Sequence, residues 1–435
     1  MSELNNLNNE TTITDPFKHF KKMLQKGIGG SSGFEGLESE STETAEPDLS
    51  QPAIKERLEY TKGELKRIIR DFLGDKPELY DIADEILSEG GEALRILRDE
   101  DTDKLAENKR QTLGALEVIV RLDGSRPSFM IQNGKVNRAT SPLGTWANTL
   151  DASNDLLTDA ISCVGRIDIP WMAPSGFVGT GFLIHENFIL TNRHVLQMAA
   201  RQDPDGKWKF HAEAAIDFAH EFRATESKNR RALKRVVFCG PDEIVFNVPV
   251  DHRKLDLALI ELEPATANNR PNKVLAIDKA PDWADPDISV FTIGYPGRPL
   301  RDFYLPTLIE QLFQTTFGYK RLAPGLVMPS GTNVQPWTFS YDSTTLGGNS
   351  GSVVLVAGRE TAAAGLHYGG QNAQPRQNWG HILGKTLEQS VEETNGNPTA
   401  EASSAEADEE SEAARRALID LLEELGVILI DRVTA

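Results

Sequence analysis

The spacing of apolar positions changes character along this chain and divides it. From Pro52 to about Arg121, Leu58, Leu65, Ile68, Ile69 and Phe72 recur every three or four residues, and "LYDIADEIL" and "TLGALEVIV" continue the pattern. That period marks one face of an α-helix. It predicts a helical module over residues 53–122, punctuated at Gly90-Gly91 and at the acidic stretch 99–103. Residues 123–159 form a connector, in which "SFMIQNGKVN" predicts a hairpin because Asn133-Gly134 suits a two-residue turn with positive φ. From about Ala160 the apolar runs become short and are separated by glycine and proline: "AISCVGRIDI", "GTGFLI", "FILTN", "RVVFCG", "IVFNVPV", "LALIEL", "SVFTIGYPG", "SVVLVAG" and "AAAGLHYGG". Many short strands with such turns predict a mainly β domain over 160–385, a sandwich or a barrel.

The flanks read differently. Residues 1–52 are a tail, Gly-, Ser- and Glu-rich after residue 28, with too little apolar surface to offset chain entropy. Within it, "PFKHFKKMLQK" puts Phe17, Phe20 and Leu24 on one helical face beside Lys18, Lys21, Lys22 and Lys26. A helix over 16–26 is marginal by itself, so we read a mobile tail in preference to a membrane contact. Residues 386–412 are an acidic linker, with eight acidic and no basic residues between 391 and 412. Over 413–435, Ala414, Ala417, Leu418, Leu421, Leu422 and Leu425 predict a helix that stops near Gly426, and "VILIDRV" predicts a strand. The apolar stripe of that helix has to be covered by the β domain, by a second copy or by a partner. No internal repeats are evident.

Composition narrows the function. The 435 residues are enough for two or three folded units. A net charge of −19, from 65 acidic and 46 basic residues, excludes the basic face that nucleic-acid binding needs. Only two cysteines are present, Cys163 and Cys239, which suits a reducing compartment. The first residues lack a signal-peptide pattern, and no stretch is long and apolar enough to span a bilayer. A cytoplasmic protein is expected. Neither cysteines nor histidines show metal-ligand spacing, and "GTGF" lacks the context of a phosphate-cradling loop, so no cofactor or metal is expected.

The candidate chemistry centres on Ser350, in "TTLGGNSGSVVL". A nucleophilic serine needs a base, a group that orients the base, and donors for the oxyanion. Glycines around it clear space for a substrate carbonyl, and the N–H groups of Gly348 and Ser350 can form the oxyanion hole. By itself such a motif can equally be an ordinary turn before a strand. Among eight histidines, His194 in "GTGFLIHENFILTNRHVL" follows two strand-like runs, whereas His185 lies in the turn between them. His19, His211, His220 and His252 lack a comparable setting. Asp256, in "RKLDLALIEL", adjoins an apolar run and needs a partner there, which His194 Nδ1–H supplies. Asp251 is the alternative, nearer a polar turn.

The order His, Asp, Ser, carried by "TNRHV", "LDLALIEL" and "GGNSGS", resembles the trypsin-like (chymotrypsin-fold) serine peptidases. Within them it is most similar to the bacterial glutamyl-endopeptidase and HtrA-type branches. The resemblance covers roughly residues 160–385 and implies two six-stranded antiparallel β-barrels, with His194 and Asp256 on the first and Ser350 on the second. The region from "VRLDGSRPSFMIQNG" to "AISCVGRI" also resembles the segment preceding this domain in bacterial, intracellular relatives. Two departures stand out. Asn349 replaces the aspartate that pairs with a new N-terminus in secreted animal relatives, and Val195 stands where those relatives carry a half-cystine.

The resemblance also implies which residues meet substrate. Thr344 stands where Lys- and Arg-cleaving relatives have aspartate, so cleavage after basic residues is not expected. Thr345 and His367 match positions at which glutamyl endopeptidases bind a carboxylate, and both side chains can donate hydrogen bonds to one. His367 also reads as a satisfied core histidine. The backbone from His367 through Tyr368 to Gly369, with Gly370 after it, should pair with an extended substrate. The resulting expectation is an intracellular bacterial serine endopeptidase acting through an acyl-enzyme, with a Glu or Asp preference. A regulatory or sensor protein docking on the N-terminal helices or the C-terminal helix would make it an effector in defence or stress. The alternative is an inactive protease-fold scaffold that binds peptides, against which the intact trio of residues argues.

Overall fold

The computed structural model describes residues 21–25, 47–72, 75, 77–100, 115–116, 118–120, 122–172, 176–223, 229–245, 250–280, 282–297, 317–330, 334–371, 377–387 and 402–430. Two long helices open it, α1 (Gln51–Phe72) and α2 (Pro77–Asp99). Leu65 and Ile69 of α1 pack with Leu79, Ala83 and Ile86 of α2 and with Val118 and Leu122, which lie in a third helical run. Gly90 and Gly91, expected to interrupt the helices, lie buried inside α2 instead. A Cβ on Gly90 would come within 2.3 Å of Ile119 Cδ1, so this glycine serves close helix packing and does not end the helix.

The tail also departs from expectation. Residues 21–24 are helical, and Met23 and Leu24 are buried against Leu94, Leu97, Leu116 and Val120. Arg57 donates from Nη2 to the Leu24 carbonyl at 3.1 Å. A turn too short to persist in water is held here by tertiary burial. Phe17 and Phe20 lie outside the described residues.

The hairpin forms as its turn chemistry requires. β1 (Phe129–Gln132) and β2 (Lys135–Asn137) flank Asn133 and Gly134, whose φ values are +51° and +72°. Two short helices follow, α3 (Trp146–Ala152) and α4 (Asn154–Cys163). The start of "AISCVGRIDI" therefore belongs to a helix, and the strand begins at Val164.

The first barrel closes in the order β10-β5-β4-β3-β8-β9. Its strands are β3 (Val164–Asp168), β4 (Phe177–His185), β5 (Phe188–Thr191), β8 (Ala215–Asp217), β9 (Arg230–Cys239) and β10 (Ala258–Leu262). Helix α5 (Arg193–Ala199) and the small ribbon β6 (Ala200–Gln202) with β7 (Trp208–Phe210) interrupt them. The run "IVFNVPV" is not a strand where described, because Gln197 binds both backbone groups of Ile244, at 2.9 Å each, and holds it as a loop.

β11 (Ala276–Asp278) leads to the second barrel, built from β12 (Ser289–Gly294), β13 (Arg321–Met328), β14 (Thr338–Tyr341), β15 (Val353–Val356), β17 (Gly365–Gln371) and β18 (Gln377–Ile382). The β12–β13 pairing closes the ring β12-β15-β17-β18-β14-β13, and the β1–β2 hairpin extends it from the edge of β13. The expected pair of six-stranded antiparallel barrels is present, and the connector hairpin is part of the second sheet. Lys320, fully buried, ties the halves together: Nζ donates to the carbonyls of Ile161 at 2.9 Å and Phe218 at 2.7 Å.

After the short α6 (Leu383–Thr386), helix α7 (Ala402–Glu424) and strand β19 (Leu429–Ile430) complete the described chain. The last eleven residues of the expected linker, 402–412, belong to this helix, since an Ala- and Glu-rich sequence favours helix once its end is docked. Leu418, Ile419, Leu422 and Val427 join the main core. β19 pairs in parallel with β11, which also pairs with β16 (Ala362–Ala363). The stripe on the terminal helix is therefore covered by its own chain. Each of these four side chains contributes about 1.5–3 kcal/mol by burial. Deleting residues 413–435 is expected to lower the thermal midpoint by more than about 5 °C; an unchanged midpoint in scanning calorimetry would contradict this packing.

Candidate active site

The expected acid and base, Asp256 and His194, lie on the first barrel. β5 ends at Thr191, and His194 is the second residue of α5. Asn192 stands at the helix N-cap but donates its side-chain amide to the Asp256 carbonyl at 2.8 Å, not to the helix. Asp256 precedes β10. Its Oδ1 accepts the His194 backbone N–H at 2.9 Å, and its Oδ2 lies 2.5 Å from His194 Nδ1. Both residues are buried. Burial alone would raise the Asp256 carboxyl, but the His194 ring and backbone N–H outweigh it and hold the carboxyl below its usual range. Asp251 pairs with Arg253 at 2.9 Å and takes no part, and His185, expected in a turn, is instead the last residue of β4, paired with Phe188.

The loop bearing Ser350 is a turn from Leu346 to Asn349, closed by the Asn349 N–H on the Leu346 carbonyl at 3.1 Å. Gly348 has φ of +92°, the conformation that a type II turn demands at its third residue. The Gly347 carbonyl accepts the Gly297 N–H at 2.5 Å. The Gly348 N–H, on the opposite side of the same planar trans peptide, points away from that contact. Among the described residues neither the Gly348 nor the Ser350 N–H meets an acceptor. Asn349 is buried, donates to the Leu346 carbonyl at 3.2 Å and accepts the Ser352 hydroxyl at 3.4 Å. A neutral amide braces the loop from within, where secreted relatives use an ion pair.

One residue that the sequence did not single out carries much of this geometry. Thr180, inside "GTGF", donates its backbone N–H to the Ser350 carbonyl at 2.8 Å and its hydroxyl to the Gly348 carbonyl at 2.9 Å. The same hydroxyl accepts the Tyr295 N–H at 3.1 Å. Its signal in the sequence was faint: a β-branched hydroxyl between two glycines in an otherwise apolar strand.

The other expected site residues lie on the second barrel. The Thr344 hydroxyl donates to the Arg126 carbonyl at 2.8 Å. Thr345 is buried and its hydroxyl donates to Asn378 Oδ1; that same oxygen lies 3.0 Å from where a Cβ on Gly370 would be. Asn378 thus joins Thr345 to the Gly370 backbone, another residue the sequence left unmarked. His367 is 3 % exposed, with Nδ1 2.7 Å from the Tyr341 hydroxyl. Burial, with His194 nearby, pushes it down to about 3. Tyr368 turns its side chain inward, its hydroxyl 2.7 Å from His252 Nδ1, so only its backbone faces outward chemistry. β15 pairs with β17 through Gly365 and Leu366 alone, and two further bonds run from Gly351 and Ser352 to His367. Beyond His367, through Gly369 and Gly370, that strand edge has no strand partner among the described residues and suits an extended peptide. Among the described residues no group of three or more His, Cys, Asp or Glu could hold a metal ion.

Comparison with known proteins gives the family. Residues 179–361 match the trypsin-like peptidase domain family. A probable serine protease of Lysobacter enzymogenes is 30% identical over 278 residues, covering 59% of this chain and 70% of that protein. The chain belongs to the trypsin-like serine peptidases and is a serine endopeptidase. Solved structures that align with it include a Glu endopeptidase, at 16% identity over 58% of this chain and 91% of that one, with a TM-score of 0.33. Another is the inactive form of the Rv3671c protease, at 15% identity over 54% of this chain and 90% of that one, with a TM-score of 0.31.

Two outcomes follow from the geometry. Thr180→Val removes the hydroxyl and leaves the Gly348 carbonyl and Tyr295 N–H unpaired, so kcat/KM should fall about 100-fold; steady-state kinetics showing less than a threefold loss would contradict the role of this contact. The depressed Asp256 carboxyl contributes stability that is complete above its unfolded value near 4 and lost as pH falls through the folded value. Asp256→Asn should therefore flatten the acid limb of an unfolding-against-pH curve, measured by circular dichroism, as well as lowering kcat by about 10⁴.

Proposed function

We propose that this protein hydrolyses peptide bonds through Ser350, His194 and Asp256, by way of an acyl-enzyme. The observation that carries the reading is the 2.5 Å bond between His194 Nδ1 and Asp256 Oδ2. It fixes the tautomer that leaves Nε2 as the proton acceptor for a serine hydroxyl. Ser350 Oγ attacks the scissile carbonyl, His194 takes its proton and then passes it to the leaving amine. The unused N–H groups of Gly348 and Ser350 stabilise the oxyanion. Water repeats the cycle on the acyl-enzyme and regenerates Ser350.

The proposed preference is Glu, or Asp, on the acyl side. What supports it is the chemistry of His367, together with the absence of a carboxylate at Thr344; the Thr345 hydroxyl already donates its one proton to Asn378 and would have to turn from it to bind substrate. When the Tyr341 hydroxyl donates to His367 Nδ1, the imidazole keeps its proton on Nε2 and offers it to a substrate carboxylate. A neutral histidine recognises that carboxylate as a hydrogen-bond donor, not as a cation.

A regulated, cytoplasmic role belongs to the same proposal. A buried path of contacts supports regulation: Arg57 of α1 pairs with Asp123, and Arg126 binds Asp342 through two 2.6 Å bonds and holds Thr344 through its carbonyl. A protein docking on the helical module would thus act on the segment that leads to Ser350. The cytoplasmic expectation accords with Cys163 and Cys239, both free thiols.

Ser350→Ala should abolish labelling by a fluorophosphonate and the appearance of new protein termini in a digested proteome. Peptides with Glu at the cleaved position should exceed their Gln counterparts in kcat/KM by about 100-fold. A profile dominated by Lys, Arg or Phe would overturn the preference, and termini that persist with Ser350→Ala would overturn the nucleophile.

A further inference from the structure

The acid and base lie on one barrel and the nucleophile on the other, so something must register Asp256 against the second barrel. The side chain that does so is His381, on β18. Its Nε2 accepts the backbone N–H of Asp256 at 3.2 Å. Behind it, the ring of Tyr368 stacks on His381 with centroids 4.5 Å apart and planes at 29°. The Tyr368 hydroxyl then reaches back across the barrels to His252 Nδ1 at 2.7 Å, and the His252 ring meets Trp379 edge-on at 4.8 Å. The loop 252–256 is therefore gripped at both ends by β17 and β18, the hairpin whose outer edge faces the substrate.

We propose that His381 is a positioning residue for the hydrolytic reaction: from the second barrel, its unprotonated Nε2 fixes the Asp256 backbone and so sets Asp256 and His194 in register with Ser350. The proposal rests on the triad reading given above. Three observations carry it. The contact crosses between barrels. It is made to the backbone of the orienting acid itself. It also has a cost, because accepting at Nε2 leaves the neutral ring's proton on Nδ1, and Nδ1 is buried with no hydrogen-bond partner among the described residues. An orphaned buried N–H is not what packing alone selects. The groups facing the ring are Asp256, His252 and Tyr368, with His194 beyond Asp256. Burial, partly offset by Asp256, pushes His381 down to about 4, so the ring is neutral throughout the working range of such a triad.

The full-length protein labelled with ¹⁵N-histidine tests this directly. Besides His194, wild type should show a second histidine held as the Nδ1–H tautomer from pH 5 to 9, its signal lost in His381→Gln; an Nε2–H tautomer at His381 would overturn the proposal. His381→Phe keeps the ring stack and removes the acceptor, and should lower kcat about 10- to 100-fold with KM changed less than about threefold. It should also move or broaden the low-field proton signal of the Asp256–His194 bond. His381→Gln, which returns an acceptor close to the old Nε2, should recover most of the rate. If His381→Phe retains wild-type kcat and an unmoved low-field signal, the proposal falls. If His381→Phe does not fold, the tautomer in wild type alone decides. Failure of wild type to take up a fluorophosphonate would count against the triad reading and not against the tautomer.

Discussion

A backbone-to-backbone contact between the two barrels is the constraint on which this molecule turns. Thr180 of β4 donates to the Ser350 carbonyl, and its own carbonyl lies only 1.9 Å from where a Cβ on Gly351 would stand. Gly351 has φ of +87°, so the chain can leave the serine in a direction other residues rarely adopt. A side chain at Gly351 could fit only if the Thr180 backbone gave way. The loop that presents Ser350 would then no longer meet the barrel that carries His194. Two further links act in parallel with this contact, Lys320 at one end of the interface and the His381–Asp256 bond beside the base.

Polar groups do this joining because the interface must be specific as well as apolar. A buried ammonium that satisfies two carbonyls, or a histidine that accepts one amide, is costly when misaligned by a strand register and satisfied only in one. Hydrophobic packing supplies the cohesion, with the first barrel, the terminal helix and part of the second barrel sharing one core. The hydrogen bonds choose among the ways that core could close.

The segments outside the barrels extend the same logic. Arg57–Asp123 and Arg126–Asp342 are buried ion pairs strung along the chain that runs from the helical module to the loop before Ser350. Breaking one partner of such a pair costs about 3–5 kcal/mol, since the survivor is left charged and dry. At the other end, β19 completes a three-stranded sheet around β11, the piece of chain that connects the barrels. The helical module therefore braces the second barrel, and β19 braces the connection between the two.

Much of this was legible beforehand, for a physical reason. Periodicity reports local geometry, so the helical pattern before residue 122, the Asn133-Gly134 turn and the short strands after residue 160 could be read directly. Ser350, His194 and Asp256 stood out as candidates because each sits in a local pattern that such chemistry requires: glycines about a serine, an acid beside an apolar run. Gly90 misled, because a helix breaker and a helix-packing glycine look alike until the partner helix is known. Thr180, Asn378 and His381 were silent because each matters only through a residue far away in the chain. Which histidine meets Asp256, which hydroxyl holds the loop before Ser350 and what covers the terminal helix are settled by distances between segments. Those distances exist only once the apolar faces have packed, since it is the packing, and not the local order of residues, that decides which buried donors meet which acceptors.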